Sequence, residues 1–284
     1  VMSATLVILT REIKKWINRR AVLVMSLVTP IIWIAFFGKS FNLQSLIASP
    51  SNAPLASVNP QLVQALREAM EARLKELFGT TDYFTFMSTG MLVAFSLFQG
   101  MFAGVSIIFD KRLGYMDRLL TSPVPRISIW LGKVLAVPVR VTVLSVILFV
   151  TALALGLQLK PDISVLDLFY SWIIIIVISI GMASLYAMIS FYASNQEVVF
   201  SLSNLLNLPL MFTSSVMFPV KQMPHWLQEI AKINPVTYAA DLVRHYLIGY
   251  SIANYWEEVG YLVVLSSIIT VLSAWLSVRW MEKR

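Results

Sequence analysis

Charged side chains are scarce in this chain, and the places where they gather limit the chemistry open to it. Asp110, Lys111 and Arg112, followed by Asp117 and Arg118, lie on a short helix-like run closed by Ser122-Pro123-Val124-Pro125, with Arg126 just beyond. A charged run held by two prolines can seat in a groove of a soluble partner and pass motion to the segments flanking it. The same residues would equally serve as a basic loop that fixes membrane orientation. Arg140 stands alone inside an apolar stretch, where charge is costly and marks a candidate functional group. Its closeness to the end of that stretch favours snorkelling to the membrane surface. Asn204 and Asn207, with Ser201 and Ser203, give another apolar stretch a polar face. That face suits a substrate path, a dimer contact or a hydrogen bond to a neighbouring helix.

Bond-breaking chemistry finds few candidates. There is no cysteine, which excludes disulfides and thiol catalysis, and the two histidines, His225 and His245, are twenty residues apart without metal-ligand spacing. No group of Ser, His, Asp and Glu has triad or metal spacing. The phosphate-binding pattern Gly-x-x-x-x-Gly-Lys-Ser/Thr is missing; Gly132-Lys133 lacks both the earlier glycine and the following hydroxyl. The chain is therefore expected to be no enzyme by itself and to bind no cofactor.

The elements that must hold these residues are helices in lipid. Of 284 residues, 58% are hydrophobic and 13% charged, against about 45–50% and about 25% in soluble proteins. An all-α integral membrane protein is expected: an amphipathic helix over 1–20, then a single six-span domain over 21–284. The net charge of +7 fits a lysine- and arginine-rich cytoplasmic face better than nucleic-acid binding. In residues 3–20, Leu6, Leu9, Ile13, Trp16 and Ile17 share one helical face, opposite Arg11, Lys14, Lys15 and Arg19. This pattern predicts a helix lying on an anionic leaflet.

Spans are expected near 21–41, 83–108, 129–156, 167–192, 198–219 and 257–278, each near the ~20 residues a bilayer requires. A cleaved signal peptide competes for the first, but the apolar run is longer than a signal core. Pro30 should kink that span. Gly100 and Gly104 share the spacing that permits close helix contact. The interval 42–82 opens as a Ser-, Ala-, Asn- and Pro-rich loop. It continues as an amphipathic helix from Pro60 with a stripe of Leu62, Leu66, Met70, Leu74 and Leu77 and the pairs Arg67–Glu71 and Glu71–Lys75. Five basic residues precede residue 21, five lie in 109–133 and three in the tail; thirteen of the 22 thus fall on one face, against seven on the other. This bias predicts cytoplasmic termini, a cytoplasmic 109–128 loop, and external 42–82 and 220–256 segments.

Two stretches are more specific than hydropathy. One is Leu113-Gly114, Leu119-Leu120-Thr121-Ser122-Pro123-Val124-Pro125-Arg126 and Leu131-Gly132-Lys133. The other matches in order Phe218, Pro219, Pro224, Trp226, Leu227, Asn234, Pro235, Thr237, Tyr238, Asp241 and Arg244. Together they resemble the type-2 ABC transporter permeases, including the daunorubicin-resistance kind, over essentially the whole chain. The first stretch departs from the family pattern, with Arg112 where an acid is usual and Tyr115 where threonine is usual.

The resemblance implies that Asp110, Lys111, Arg112, Asp117, Arg118 and Arg126 form a coupling helix on a separate ATPase subunit, which carries the ATP and magnesium. It further implies that 218–244 is an outer re-entrant hairpin roofing a translocation path, a plain external loop being the alternative. Non-helical backbone at membrane depth must be buried in protein or line a cavity, and Trp226 and Tyr238 would then lie at headgroup level. The expected function is export across the plasma membrane by two permeases and two ATPases, with a homodimer as the simplest closure and membrane lipid as a further partner. The main alternative is an ATP-independent secondary transporter or channel, which usually carries more charge within its spans.

Overall fold

The computed structural model describes residues 2–40 and 60–283. Among these, every regular element is helical. In order they are α1 (Met2–Asn18), α2 (Arg20–Ser40), α3 (Pro60–Phe78), α4 (Tyr83–Arg112), α5 (Tyr115–Thr121), α6 (Arg126–Val134), α7 (Ala136–Ala154), α8 (Val165–Tyr192), α9 (Gln196–Phe212), α10 (His225–Ile233), α11 (Pro235–Ile248) and α12 (Tyr255–Glu282). The expected loop over 42–59 lies outside the described residues, as do the side chains of Leu62 and Arg67.

Among the described residues, four helical runs are long and apolar enough to cross a membrane: Gln64–Arg112, which takes in α4, Arg126–Ala154, which joins α6 to α7, then α8 and α12. A fifth arises if α1 and Leu23–Phe36 of α2, bent by 70° to each other, count as one span. The expected fifth span, 198–219, is helical only as far as Phe212, so α9 has 17 residues.

α4 is the central helix. It is buried along most of its length and packs most extensively on α8, which in turn carries α12 on its other side. The Gly100–Gly104 pair makes the first of these contacts: a Cβ on Gly104 would come within 3.0 Å of the Tyr186 carbonyl oxygen, and one on Gly100 within 3.1 Å of the Ala183 amide nitrogen. Small residues let helices approach where lipid removes the hydrophobic drive to associate. α12 leaves Val264, Ile268, Val271 and Trp275 exposed, as a helix facing lipid would.

Local sequence sets the helix ends. Asp82 caps α4 by accepting from the amides of Phe84 and Thr85. Ser164 and Asp167 form a reciprocal capping box on α8, and Asn195 caps α9 through the Val198 amide. Gly114, at φ 67°, divides α4 from α5. The expected single run over 110–118 is therefore two pieces: Asp110–Arg112 close the long α4, and Asp117–Arg118 ride on the seven-residue α5.

α1 also buries one face against the protein. Thr5, Ile8, Glu12 and Trp16 point into the protein, whereas Leu6 and Ile17 are exposed. The buried face packs on α6, where Ile8 lies so close to Gly132 that a side chain there would collide with it. α3 is held at its C-terminal end, where Leu74 and Leu77 reach the core; Leu66 and Met70 are exposed, and its ion pair is Arg73–Glu76 at 2.7 Å.

Candidate functional site

The charged residues form two buried clusters at opposite ends of α4, with a short exposed helix beside the first. At the α1 end, Asp110 is fully buried. Its carboxylate accepts from both terminal nitrogens of Arg11 at 3.0 and 3.1 Å, from Lys15 Nζ at 3.1 Å and from Lys133 Nζ. Glu12 joins the same cluster. It accepts from Lys133 Nζ at 2.7 Å and Ser106 Oγ at 2.6 Å, and Arg140 Nη2 stands 3.5 Å from its Oε2. Burial alone would push the Glu12 carboxyl up. The charges of Lys133 and Lys15, with the hydrogen bonds from Lys133 and Ser106, outweigh that and hold it below the usual carboxylate range.

Arg140 is buried and donates to the Glu12 backbone carbonyl at 3.2 Å, while its Nε has no hydrogen-bond partner among the described residues. Lys111 is likewise turned inward. Its ammonium donates to the Ser190 and Phe191 carbonyls at 2.8 and 2.6 Å, at the negative end of α8, and lies 4.3 Å from the centre of the Trp280 ring. Asp110 is thus buried, and the part-buried Lys111 directs its ammonium to the end of α8. Arg112, Asp117 and Arg118 are exposed. Arg126 pins the turn behind α5 by donating to the Leu120 carbonyl at 2.6 Å.

At the other end, Arg244 is fully buried with every branch of its guanidinium engaged. Nη1 donates to Asp241 at 3.1 Å and Ser215 Oγ at 3.2 Å, Nη2 to the Val216 carbonyl at 2.8 Å, and both Nε and Nη2 to the Phe86 carbonyl at 3.2 Å. The guanidinium also lies 3.6 Å from the Phe86 ring centre. Asp241 accepts from Ser215 Oγ at 2.7 Å. Asn234 ends α10 and caps α11 by accepting from the Val236 amide, and donates to the Leu210 carbonyl at 2.7 Å and Thr213 Oγ1 at 3.0 Å. Pro235 opens α11 at a position that needs no amide donor. Pro219 is buried and Pro224 exposed at the two ends of a short 3-10 turn, Val220–Gln222. Trp226 is exposed on α10, and the Tyr238 hydroxyl donates to the Lys232 carbonyl at 2.5 Å. These residues are brought together as a lock between α4, the end of α9 and the α10–α11 pair.

The ABC-2 type transporter family matches residues 3–248, a range that takes in both charged clusters, α5 and the α10–α11 pair. The chain belongs to the ABC-2 type transporter family. It is 28% identical over 247 residues to the putative transport permease ycf38 of Porphyra purpurea, covering 85% of this chain and 72% of that one. It is 27% identical over 202 residues to the daunorubicin resistance ABC transporter permease protein DrrB1 of Streptomyces coeruleorubidus, covering 70% and 69%. A probable multidrug ABC transporter permease, YbhR of Escherichia coli strain K12, is 29% identical over 164 residues, covering 57% and 44%. The chain is thus an ABC-2 permease, a multi-pass membrane transport component and not a catalytic enzyme by itself.

In this permease the polar face expected on α9 divides. Ser203 and Asn207 are buried, Asn207 accepting from the Tyr186 hydroxyl, whereas Ser201 and Asn204 are exposed. Sequence reasoning missed Lys15 and Lys133 as partners of Asp110, and Glu12 and Ser106 as further members of the same cluster. A signal existed: Glu12 is the sole acid among the first twenty residues, and Lys133 and Arg140 both fall in an expected span that contains no acid of its own.

Proposed function

We propose that this permease is the membrane-spanning half of an ATP-driven exporter, moving its substrate outward while a separate ABC ATPase subunit binds ATP and magnesium and hydrolyses the nucleotide. The observation that carries the reading is α5. It is a seven-residue helix behind a left-handed glycine, with Arg112, Asp117 and Arg118 exposed around it and its apolar residues Met116 and Leu119 buried. A helix anchored on one side and charged on the other suits docking into a soluble partner. It sits at the end of α4, so motion there reaches the core directly.

The coupling surface in this reading is Arg112, Asp117 and Arg118, with Arg126 as a brace and Asp110 and Lys111 as internal anchors. Six crossings are proposed, by α2, α4, α6–α7, α8, α9 and α12, with the chain in the plasma membrane and both termini cytoplasmic as the basic-residue bias favours. α1 would lie along the cytoplasmic surface, with exposed Leu6 and Ile17 toward lipid, and α10–α11 would form the outer re-entrant hairpin. A second copy would close the path as a homodimer, since six spans make half of one.

Reconstitution with and without the candidate ATPase tests this. Arg118→Glu should leave membrane insertion intact and should abolish both substrate export and substrate-stimulated ATP hydrolysis. Transport by the chain alone, indifferent to ATP and to the Arg118 reversal, would support the secondary-transporter alternative instead. Sidedness is checked with single cysteines at Ser57 and Ser122 in the cysteine-free chain. An impermeant reagent on intact cells should label the first and not the second, and the opposite pattern inverts the topology.

A further inference from the structure

Two cavities meet end to end along one side of α4. The larger, about 490 Å³, lies between α2, α4 and α9 and is lined chiefly by apolar side chains, among them Met25, Trp33, Phe95, Phe98, Leu208 and Met211. The smaller, about 240 Å³, lies against α1, where Glu12, Lys15, Arg19 and Arg140 line it together with Phe109 and Phe200. Phe102 lines both. From Met91 to Phe109 the two follow α4 for about 27 Å at the rise of an α-helix.

The slot is amphipathic, and its polar end carries surplus positive charge. Three cations and one carboxylate line it, and that carboxylate, Glu12, is already engaged by Lys133 and Arg140. Arg140 is only 5% exposed, and its Nε is without a hydrogen-bond partner among the described residues. A buried donor left unpaired is costly, so an acceptor is owed at this point. Arg19 is exposed and lies over the Phe109 ring at 5.1 Å. The charge calls for an anion, and the apolar cavity beyond Phe102 calls for a hydrocarbon attached to it.

We propose that this slot binds one anionic phospholipid, its phosphate held by Arg19, Lys15 and Arg140 and one acyl chain lying in the cavity between α2, α4 and α9. The site rests on the reading of the α1 end as a membrane surface, with the headgroup level with α1 and the chain directed toward the bilayer centre. Such a lipid would supply the acceptor missing at Arg140 Nε and neutralise part of the surplus charge.

Native mass spectrometry of the purified full chain tests this with phosphatidylglycerol and phosphatidylcholine of identical acyl chains. One phosphatidylglycerol should be retained in preference to phosphatidylcholine. Arg19→Gln, an exposed change that spares the fold, should weaken retention by about fivefold, as expected for one basic residue at an anionic surface. Arg140→Gln should add a further loss. A photoreactive acyl chain should crosslink to peptides carrying Phe98 and Leu208. Equal retention of the two lipids, indifference to Arg19→Gln, displacement by inorganic phosphate at equal concentration, or crosslinks confined to α12 would each overturn the proposal. The assay uses neither ATP nor ATPase, so a negative result here leaves the coupling experiment standing, and a failure of coupling leaves this site standing.

Discussion

The two buried charge clusters at the ends of α4 solve the same problem in opposite ways. Around Arg244 there is one guanidinium, one carboxylate, a serine and two backbone carbonyls, and the donors are used up. Around Asp110 and Glu12 there are two carboxylates and four cations, Arg11, Lys15, Lys133 and Arg140, with one guanidinium nitrogen unpartnered. A saturated cluster is a fastener: it holds α11 to α4 and has nothing left to offer. A cluster with surplus charge holds helices together and also presents a potential to whatever approaches. Buried pairs contribute little net stability over apolar packing, yet breaking one is expensive. The contrast therefore concerns how each end responds to loss of a partner.

The largest expected effect lies at the saturated end. Arg244→Ala strands Asp241 inside the protein and should cost about 3–5 kcal/mol, read as a loss of thermal stability in detergent. Arg244→Lys should recover little of it, because a single ammonium cannot reach acceptors on Phe86, Val216, Ser215 and Asp241 at once. Full rescue by lysine would mean that charge, not the forked geometry, holds that end together.

A smaller loss is expected at the open end. Glu12→Gln removes one carboxylate while Asp110 still faces the remaining cations, and about 1.5–3 kcal/mol is expected for a hydrogen bond to a charged group. The double change Glu12→Gln with Lys133→Met should be less harmful than the two single changes added together, since donor and acceptor leave as a pair. Strict additivity in that cycle would separate the two residues and dissolve the cluster as a unit.

Smallest of all is Arg11→Ala. The Arg11 side chain is 32% exposed, and Lys15 and Lys133 still serve Asp110 without it. A loss below about 1 kcal/mol is expected. A loss as large as that of Glu12→Gln would show that the positive surplus is only nominal.

The same contrast explains what could be read before the fold was known. The Arg244 cluster is written locally: Asn234-Pro235 marks a helix start, and Asp241 and Arg244 are one helical turn apart. Its residues were legible as a set, and the structure shows them fastening α11 to α4. The Asp110 cluster is not written locally. Glu12 meets Ser106, Lys133 and Arg140 across 94, 121 and 128 positions. Only packing of α1 on α4, α6 and α7 brings them together. Amphipathic patterning found α1 and set Leu6 and Ile17 on a lipid-facing side, but it did not reveal the protein-facing side with Glu12, because a paired carboxylate leaves no trace in a hydropathy pattern. The all-helical class was readable from apolar runs, whereas the break at Gly114, which turns one expected charged helix into an anchor and an exposed tip, depends on a single backbone angle.

The reach of Glu12 also sets a timetable for synthesis. Its ammonium partner Lys133 is added 121 residues later and Arg140 Nη2 128 residues later. At about 5–20 residues per second, the carboxylate waits roughly 6–25 s between leaving the ribosome and meeting them. During that interval Glu12 lacks the cations of α6 and α7, and the membrane-surface position proposed for α1 would give its exposed Leu6 and Ile17 a resting place. Nascent chains arrested before Lys133 should leave α1 open to protease, and chains arrested well past Arg140 should protect it. In this permease α1 must wait for α6 and α7 before its buried carboxylate is paired.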